Sequence, residues 1–202
     1  MNNEISLGTW LSLYSEAIAE VLVNAGYEWV TVDLEHSAIT IDQAEKLIRV
    51  IDLAGAKPYV RVSSNDAVQI KRVLDAGAQG IIVPMVNTKD DVLAAISAMN
   101  YPPLGSRGMG LARAQGYGQA NLKSKYIEKS SKELELYIQI ESKDALDNLD
   151  DIFSQNIDGY MIGPYDLSSS MGIPGDFKNR DFLEIEASIL DTAKKYDIKR
   201  GY

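Results

Sequence analysis

Short apolar runs and amphipathic stretches alternate along almost the whole chain. The runs are Leu7 to Leu13, Trp29 to Leu34, Lys57 to Val62, Gly80 to Pro84, Leu134 to Ile140 and Gly159 to Gly163. Most are β-branched or aromatic and bounded by Gly, Pro, Asn or Asp, which predicts buried strands. Between the runs the hydrophobic period lengthens. Ala44, Leu47, Ile48 and Ile51 fall at i, i+3, i+4 and i+7, one stripe of a helix. Ala17, Ile18, Val21, Leu22 and Ala25 do the same and run into Gly26, a residue suited to end a helix. Val68, Val73 and Leu74 mark a third helix closing near Gly77. A fourth covers roughly Asp90 to Met99, and a later one Phe182 to Tyr196.

Strand and helix alternating every 22 to 30 residues or so, about the length of a βαβ repeat, imply right-handed crossovers and a parallel sheet. An open nucleotide-binding sheet carries a glycine fingerprint after its first strand. Here Ser12-Leu13-Tyr14-Ser15-Glu16 follows that strand, without a glycine. The pattern therefore predicts a (β/α)₈ barrel of the TIM type, in a single domain over residues 1–202. Six strands are legible, with a seventh opening at Ile198, whereas such barrels take about 250 residues. The expectation is a barrel truncated before its last strands and closing helix. The long interval between Pro84 and Leu134 breaks the rhythm. It holds a helix and then a glycine-rich stretch, Tyr101 to Gly110, running on to Tyr117-Gly118, the kind of loop that is functional or mobile.

Composition narrows the chemistry. Hydrophobic residues at 46% and charged residues at 24% belong to a globular protein. Twenty Lys and Arg against 29 acids give a net charge of -9, which argues against a nucleic-acid partner. The absence of cysteine removes disulfides, thiolate metal sites and cysteine nucleophiles, and a single histidine, His36, excludes a multi-histidine cage. No apolar run approaches the roughly 20 residues that cross a bilayer, so no membrane partner is expected. The polar start Met1-Asn2-Asn3-Glu4 is no secretory signal, and a cytoplasmic location is expected.

In a parallel barrel the chemistry sits at the C-terminal ends of the strands. Four strands present ionisable groups there: Val32-Asp33-Leu34-Glu35-His36, Val60-Arg61-Val62, Gln139-Ile140-Glu141 and Gly163-Pro164-Tyr165-Asp166. Gln139 and Glu141 are two apart and share a strand face. Glu141 with Asp166 would supply oxygen ligands to a hard divalent ion such as Mg²⁺ or Mn²⁺. The alternative is a structural salt bridge from one of them to Arg61, which must in any case face an anion. His36 is suited to proton exchange near neutral pH. A Schiff-base lysine is disfavoured, since only Lys143 lies near a strand end, and there at a helix start. The Gly105 to Gly110 loop lacks the Lys-Ser/Thr ending of a P-loop.

Further motifs occur in order: Ser64-Asn65-Asp66, Leu74-Asp75-Ala76-Gly77, Ile82-Val83-Pro84-Met85, Ser106-Arg107-Gly108 and Ile162-Gly163-Pro164-Tyr165-Asp166-Leu167. With the strand-end groups, this series resembles the metal-dependent pyruvate aldolases of the HpcH/HpaI group, kin to 4-hydroxy-2-oxoheptanedioate aldolase and the citrate lyase β subunit. The resemblance implies a barrel that binds Mg²⁺, Mn²⁺ or Co²⁺ and cleaves a 4-hydroxy-2-oxo acid to pyruvate and an aldehyde. It implies Glu141 and Asp166 as metal ligands. Gln139 and the backbone around Tyr165 and Asp166 would contact substrate, His36 would accept the 4-hydroxyl proton directly or through water, and Arg61 would stabilise the enolate and the departing carbonyl oxygen. Asp75 would raise the basicity of His36. Asp75 falls at the wrong end of its own barrel, and a neighbouring subunit could bring it to His36, so a homo-oligomer is the expected state. Many relatives carry a small residue where this chain has Tyr165, so substrate identity does not transfer. Alternatives are a citrate lyase-like or other enolate-forming carbon–carbon lyase, or an inactive truncated barrel.

Overall fold

The computed structural model describes residues 5–201; residues 1–4, with the polar start noted above, and residue 202 lie outside the described residues. In chain order the elements are β1 (Gly8–Leu11), α1 (Glu16–Asn24), β2 (Trp29–Asp33), α2 (Ile41–Ala54), β3 (Lys57–Arg61), α3 (Ala67–Ala76), β4 (Gly80–Val83) and α4 (Lys89–Met99). They continue through α5 (Ala120–Glu133), β5 (Glu135–Ile140), α6 (Leu149–Phe153), β6 (Gly159–Ile162), α7 (Pro164–Ser170), α8 (Arg180–Lys195) and β7 (Lys199–Gly201), with 3₁₀ turns at Gly116–Gly118 and Lys143–Asn148. The strands form one sheet in the order β1 to β7, and each neighbouring pair is parallel. Among the described residues β1 pairs with β2 alone and β7 with β6 alone, so the sheet curls without closing on itself. The seventh strand begins one residue after Ile198, where the sequence pattern opens it.

Period-two alternation gives the sheet two unlike faces. Val30, Val32, Val60, Ile81, Val83, Ile138, Ile140 and Tyr160 turn toward the helices and join their inward stripes in one buried core. The residues between them, Thr31, Asp33, Tyr59, Arg61, Tyr137 and Gln139, line the concave side, where register sets Asp33 beside Arg61. At the N-terminal end of that side Trp29 stacks on Tyr59 with centroids 5.7 Å apart, and Tyr59 packs against Tyr137. Glu135 accepts hydrogen bonds from both phenols, Tyr59 at 2.6 Å and Tyr137 at 3.1 Å. This aromatic plug floors the concave side and leaves its polar groups at the opposite, C-terminal edge.

The α2 stripe is buried as the period predicts, and Thr40 with Gln43 forms a capping box at its start. In α3 the reading is corrected: Val68 is 57% exposed, while Ile70 joins Val73 and Leu74 in the core. The first apolar run is also shorter as a strand than as a pattern, with Leu7 and Leu13 exposed beyond its ends. Helix α5, which follows the glycine-rich stretch, is polar on average, and among its described side chains only Ser130 is buried. None of the described helices is long and apolar enough to cross a membrane.

Candidate active site

The site grows from two strand ends. Asp33 closes β2 and Arg61 closes β3, and the two are register partners. Arg61 donates through Nε to Asp33 Oδ1 (2.9 Å) and through Nη2 to Oδ2 (2.7 Å), a bidentate pair. The guanidinium lies over the Trp10 ring at 4.7 Å and is only 9% exposed. Burial would raise the Asp33 carboxyl, but the Arg61 guanidinium and the N–H groups of Glu35 and His36 outweigh it and hold it below the usual carboxylate range. Those backbone N–H groups, at 3.0 and 3.3 Å from Oδ1, tie the loop after β2 to the same carboxylate. Asp33 thus fixes both the cation and the segment that carries His36.

Strand β5 brings the second half. Gln139 Nε2 donates to Glu141 Oε2, and the Met85 N–H donates to Oε1 at 2.6 Å. Met85 adopts a φ of 53°, an uncommon backbone state for a side-chain-bearing residue, held at the turn that aims this N–H. Arg61 Nη1 reaches Gln139 Oε1 at 3.5 Å, so β3 and β5 are linked. Glu141 is 2% exposed, and burial, with added repulsion from Glu35 and Asp166, pushes its carboxyl up to about 7. Space for it depends on Gly163, where a Cβ would fall 2.5 Å from Glu141 Oε2 and 2.9 Å from Gln139 Nε2.

Beyond Gly163, Pro164 starts α7 and Asp166 stands in its first turn. Asp166 Oδ2 lies 3.9 Å from His36 Nε2, both side chains being open to solvent. Tyr165 is 69% exposed and meets Phe177 edge-on at 5.0 Å, forming an aromatic lip. His36, Arg61, Gln139, Glu141, Tyr165 and Asp166 are therefore brought to one edge of the sheet. Asp75 is not. It sits at the C-terminal end of α3, and so at the other edge, accepting from Arg107 Nη2 at 2.6 Å and Gln115 Nε2 at 2.9 Å. Arg107 itself lies over the faces of both Tyr101 and Tyr126, which meet each other edge-on.

Two acidic groups escaped the sequence reading as site residues. Asp33, not Glu141 or Asp166, is the bidentate partner of Arg61, which corrects the salt-bridge alternative. Glu35 Oε2 lies 3.0 Å from Arg61 Nη1 and 3.9 Å from His36 Nε2. The available signal was the match of charged residues at the last positions of adjacent strands.

The donor set fits a hard divalent cation. Among the described residues no group of three or more His, Cys, Asp or Glu side chains is arranged to hold a metal. Two carboxylates suffice for an ion that keeps water or substrate oxygens in its remaining positions. Glu141 is a buried carboxyl under repulsion from its acidic neighbours, a condition that a cation would relieve.

An all-parallel α/β sheet with carboxylates, a guanidinium and an imidazole gathered at its C-terminal edge places these groups where parallel-barrel enzymes carry their active sites. The sequence pattern of the HpcH/HpaI aldolase/citrate lyase family matches residues 6–200, and the chain belongs to that family. It is 39% identical over 187 residues to a hydroxypyruvate/pyruvate aldolase of Sagittula stellata, covering 92% of this chain and 72% of that one. It is 40% identical over 193 residues to a 2-keto-3-deoxy-L-rhamnonate aldolase of Klebsiella pneumoniae, covering 94% and 71%. The fold superposes on an HpcH/HpaI aldolase/citrate lyase family protein from Burkholderia cenocepacia with a TM-score of 0.92 and 31% identity, covering 98% of this chain and 79% of that one.

Proposed function

We propose that this chain is a class II aldolase that cleaves a 4-hydroxy-2-oxo acid to pyruvate and an aldehyde. The observation that carries the reading is the convergence of Arg61, Gln139, Glu141 and the His36–Asp166 pair on one sheet edge. Glu141 and Asp166 would hold the divalent cation, Mg²⁺, Mn²⁺ or Co²⁺, which supplies Lewis-acid polarisation of the keto acid when bound.

The chain's own residues account for the remaining steps. His36, exposed at the mouth, takes the proton from the 4-hydroxyl as the C3–C4 bond breaks and its electron pair passes to the pyruvate half as an enolate. Arg61, oriented by Asp33, faces the oxygens on which negative charge collects. Gln139 contacts the keto acid while its amide holds Glu141 in place. The backbone at Tyr165 and Asp166 meets the substrate carboxylate, and the Tyr165 ring borders the aldehyde end. Protonation of the enolate at C3 then yields pyruvate.

In this reading the seven strands are the first seven of a (β/α)₈ barrel, and the enzyme is a homo-oligomer in which a neighbour's Asp75 serves His36. The location of Asp75 on the opposite edge of its own sheet supports that arrangement. The test is pyruvate release from a set of 4-hydroxy-2-oxo acids in the presence of Mn²⁺. The wild type should release pyruvate, and EDTA or Glu141→Ala should abolish it. Release that survives both treatments unchanged removes the metal assignment. Failure of every aldehyde to form an adduct with pyruvate favours a citrate lyase-like reaction on the same enolate.

A further inference from the structure

The Asp33-Leu34-Glu35-His36 run contains a carboxylate that neither the sheet nor the cation site employs. Glu35 Oε2 is buried and accepts no hydrogen bond of good geometry. It nevertheless lies between two basic groups, 3.0 Å from Arg61 Nη1 and 3.9 Å from His36 Nε2. Its neighbours are already committed. Asp33 uses Oδ1 for Arg61 Nε and two backbone N–H groups, and Oδ2 for Arg61 Nη2. Gln139 is bound to Glu141, and Asp166 belongs to the cation site in the reading above. A buried carboxylate oxygen without a hydrogen bond is costly and persists where the surrounding chemistry uses its charge.

Arg61 and His36 must address the same substrate, and once His36 has taken up a proton the two cations repel each other. We propose that Glu35 is a positioning residue: its carboxylate stands between the Arg61 guanidinium and the His36 imidazole and keeps both turned toward the substrate. The proposal rests on the roles given to His36 and Arg61 under the aldolase reading. It assigns Glu35 no contact with the reacting atoms and no place among the cation's ligands.

Two variants test it. Glu35→Gln keeps the shape and removes the charge, whereas Glu35→Asp keeps the charge on a shorter arm. Glu35→Gln should lower kcat about 10- to 100-fold, as expected for slight misplacement of reacting groups. KM should change little, because the loss falls on the chemical step. Glu35→Asp should recover part of the rate, and it is read in the same way if the glutamine variant does not fold. His36 is the single histidine, so its imidazole ¹⁵N signals are unambiguous, and they should move in Glu35→Gln at fixed pH while Mn²⁺ binding is retained. Wild-type kcat together with unmoved His36 signals overturns the proposal. Loss of Mn²⁺ binding as complete as in Glu141→Ala also overturns it, by making Glu35 a cation ligand. If the wild type releases no pyruvate, the aldolase reading fails instead, and the His36 signals still decide whether Glu35 governs the imidazole.

Discussion

Glu141 shows how a single buried carboxyl ties stability to function. Its ordinary value of 4.5 rises to about 7 in the folded chain, with burial as the main cause. Between those values the native state keeps a proton that the unfolded chain has released. The stability associated with this group is therefore full below about 4.5 and is lost as pH rises through about 7, by on the order of 1–3 kcal/mol. Urea unfolding of metal-stripped protein between about pH 5 and about pH 8 should show that loss in the wild type and a smaller one in Glu141→Gln; identical slopes contradict it. Arg61→Lys keeps the charge but cannot match both Asp33 oxygens, so kcat should fall about 100-fold. A rate within a factor of about two of wild type speaks against the bidentate role. Gly163→Ala sets a methyl group against Glu141 Oε2 and should weaken Mn²⁺ binding, read directly by titration. In the sequence, Arg61 was legible as a cation in need of an anion, but its partner was not. Alternation within each strand says which face a residue takes, whereas the register between β2 and β3 decides that Asp33 stands beside it.

At the scale of elements, legibility follows the strength of the apolar stripe. Helix α2 was readable because Ala44, Leu47, Ile48 and Ile51 are all buried on one side. Helix α3 was readable as a helix but not in its facing, since Val68 points to solvent and Ile70 inward. Helix α5 buries only Ser130 among its described side chains and gave no periodic signal, and the short α7 is marked only by Pro164 at its start. The glycine-rich stretch is held by chemistry that spacing does not reveal. Arg107, with its side chain fully buried, ties the stretch to Asp75 at the end of α3 and stacks with Tyr101 and Tyr126. Arg107→Ala leaves the Asp75 carboxylate without its cation and should cost about 3–5 kcal/mol in urea unfolding. A cost below about 1 kcal/mol shows instead that the stretch is held by its other contacts.

For the whole molecule, the curled parallel sheet gathers polar groups from β2, β3, β5 and the start of α7 at one edge and seals the other end with aromatic rings. The edge was legible because the strand ends carry charge in an otherwise apolar pattern. The separation of Asp75 from His36 was legible too, from the position of Asp75 at a helix end. If Asp75 serves a neighbouring subunit, mixing inactive His36→Ala and Asp75→Asn chains should restore part of the activity through hybrid assemblies. No recovery after verified subunit exchange removes that role. The central claim is that one divalent cation is held by the side chains at 141 and 166. Titration of Mn²⁺ into the protein, followed by the disappearance of the free-ion EPR signal, tests it most directly. One ion per wild-type chain, with binding abolished in Glu141→Ala and in Asp166→Ala, is the predicted result; unchanged binding in either variant contradicts it.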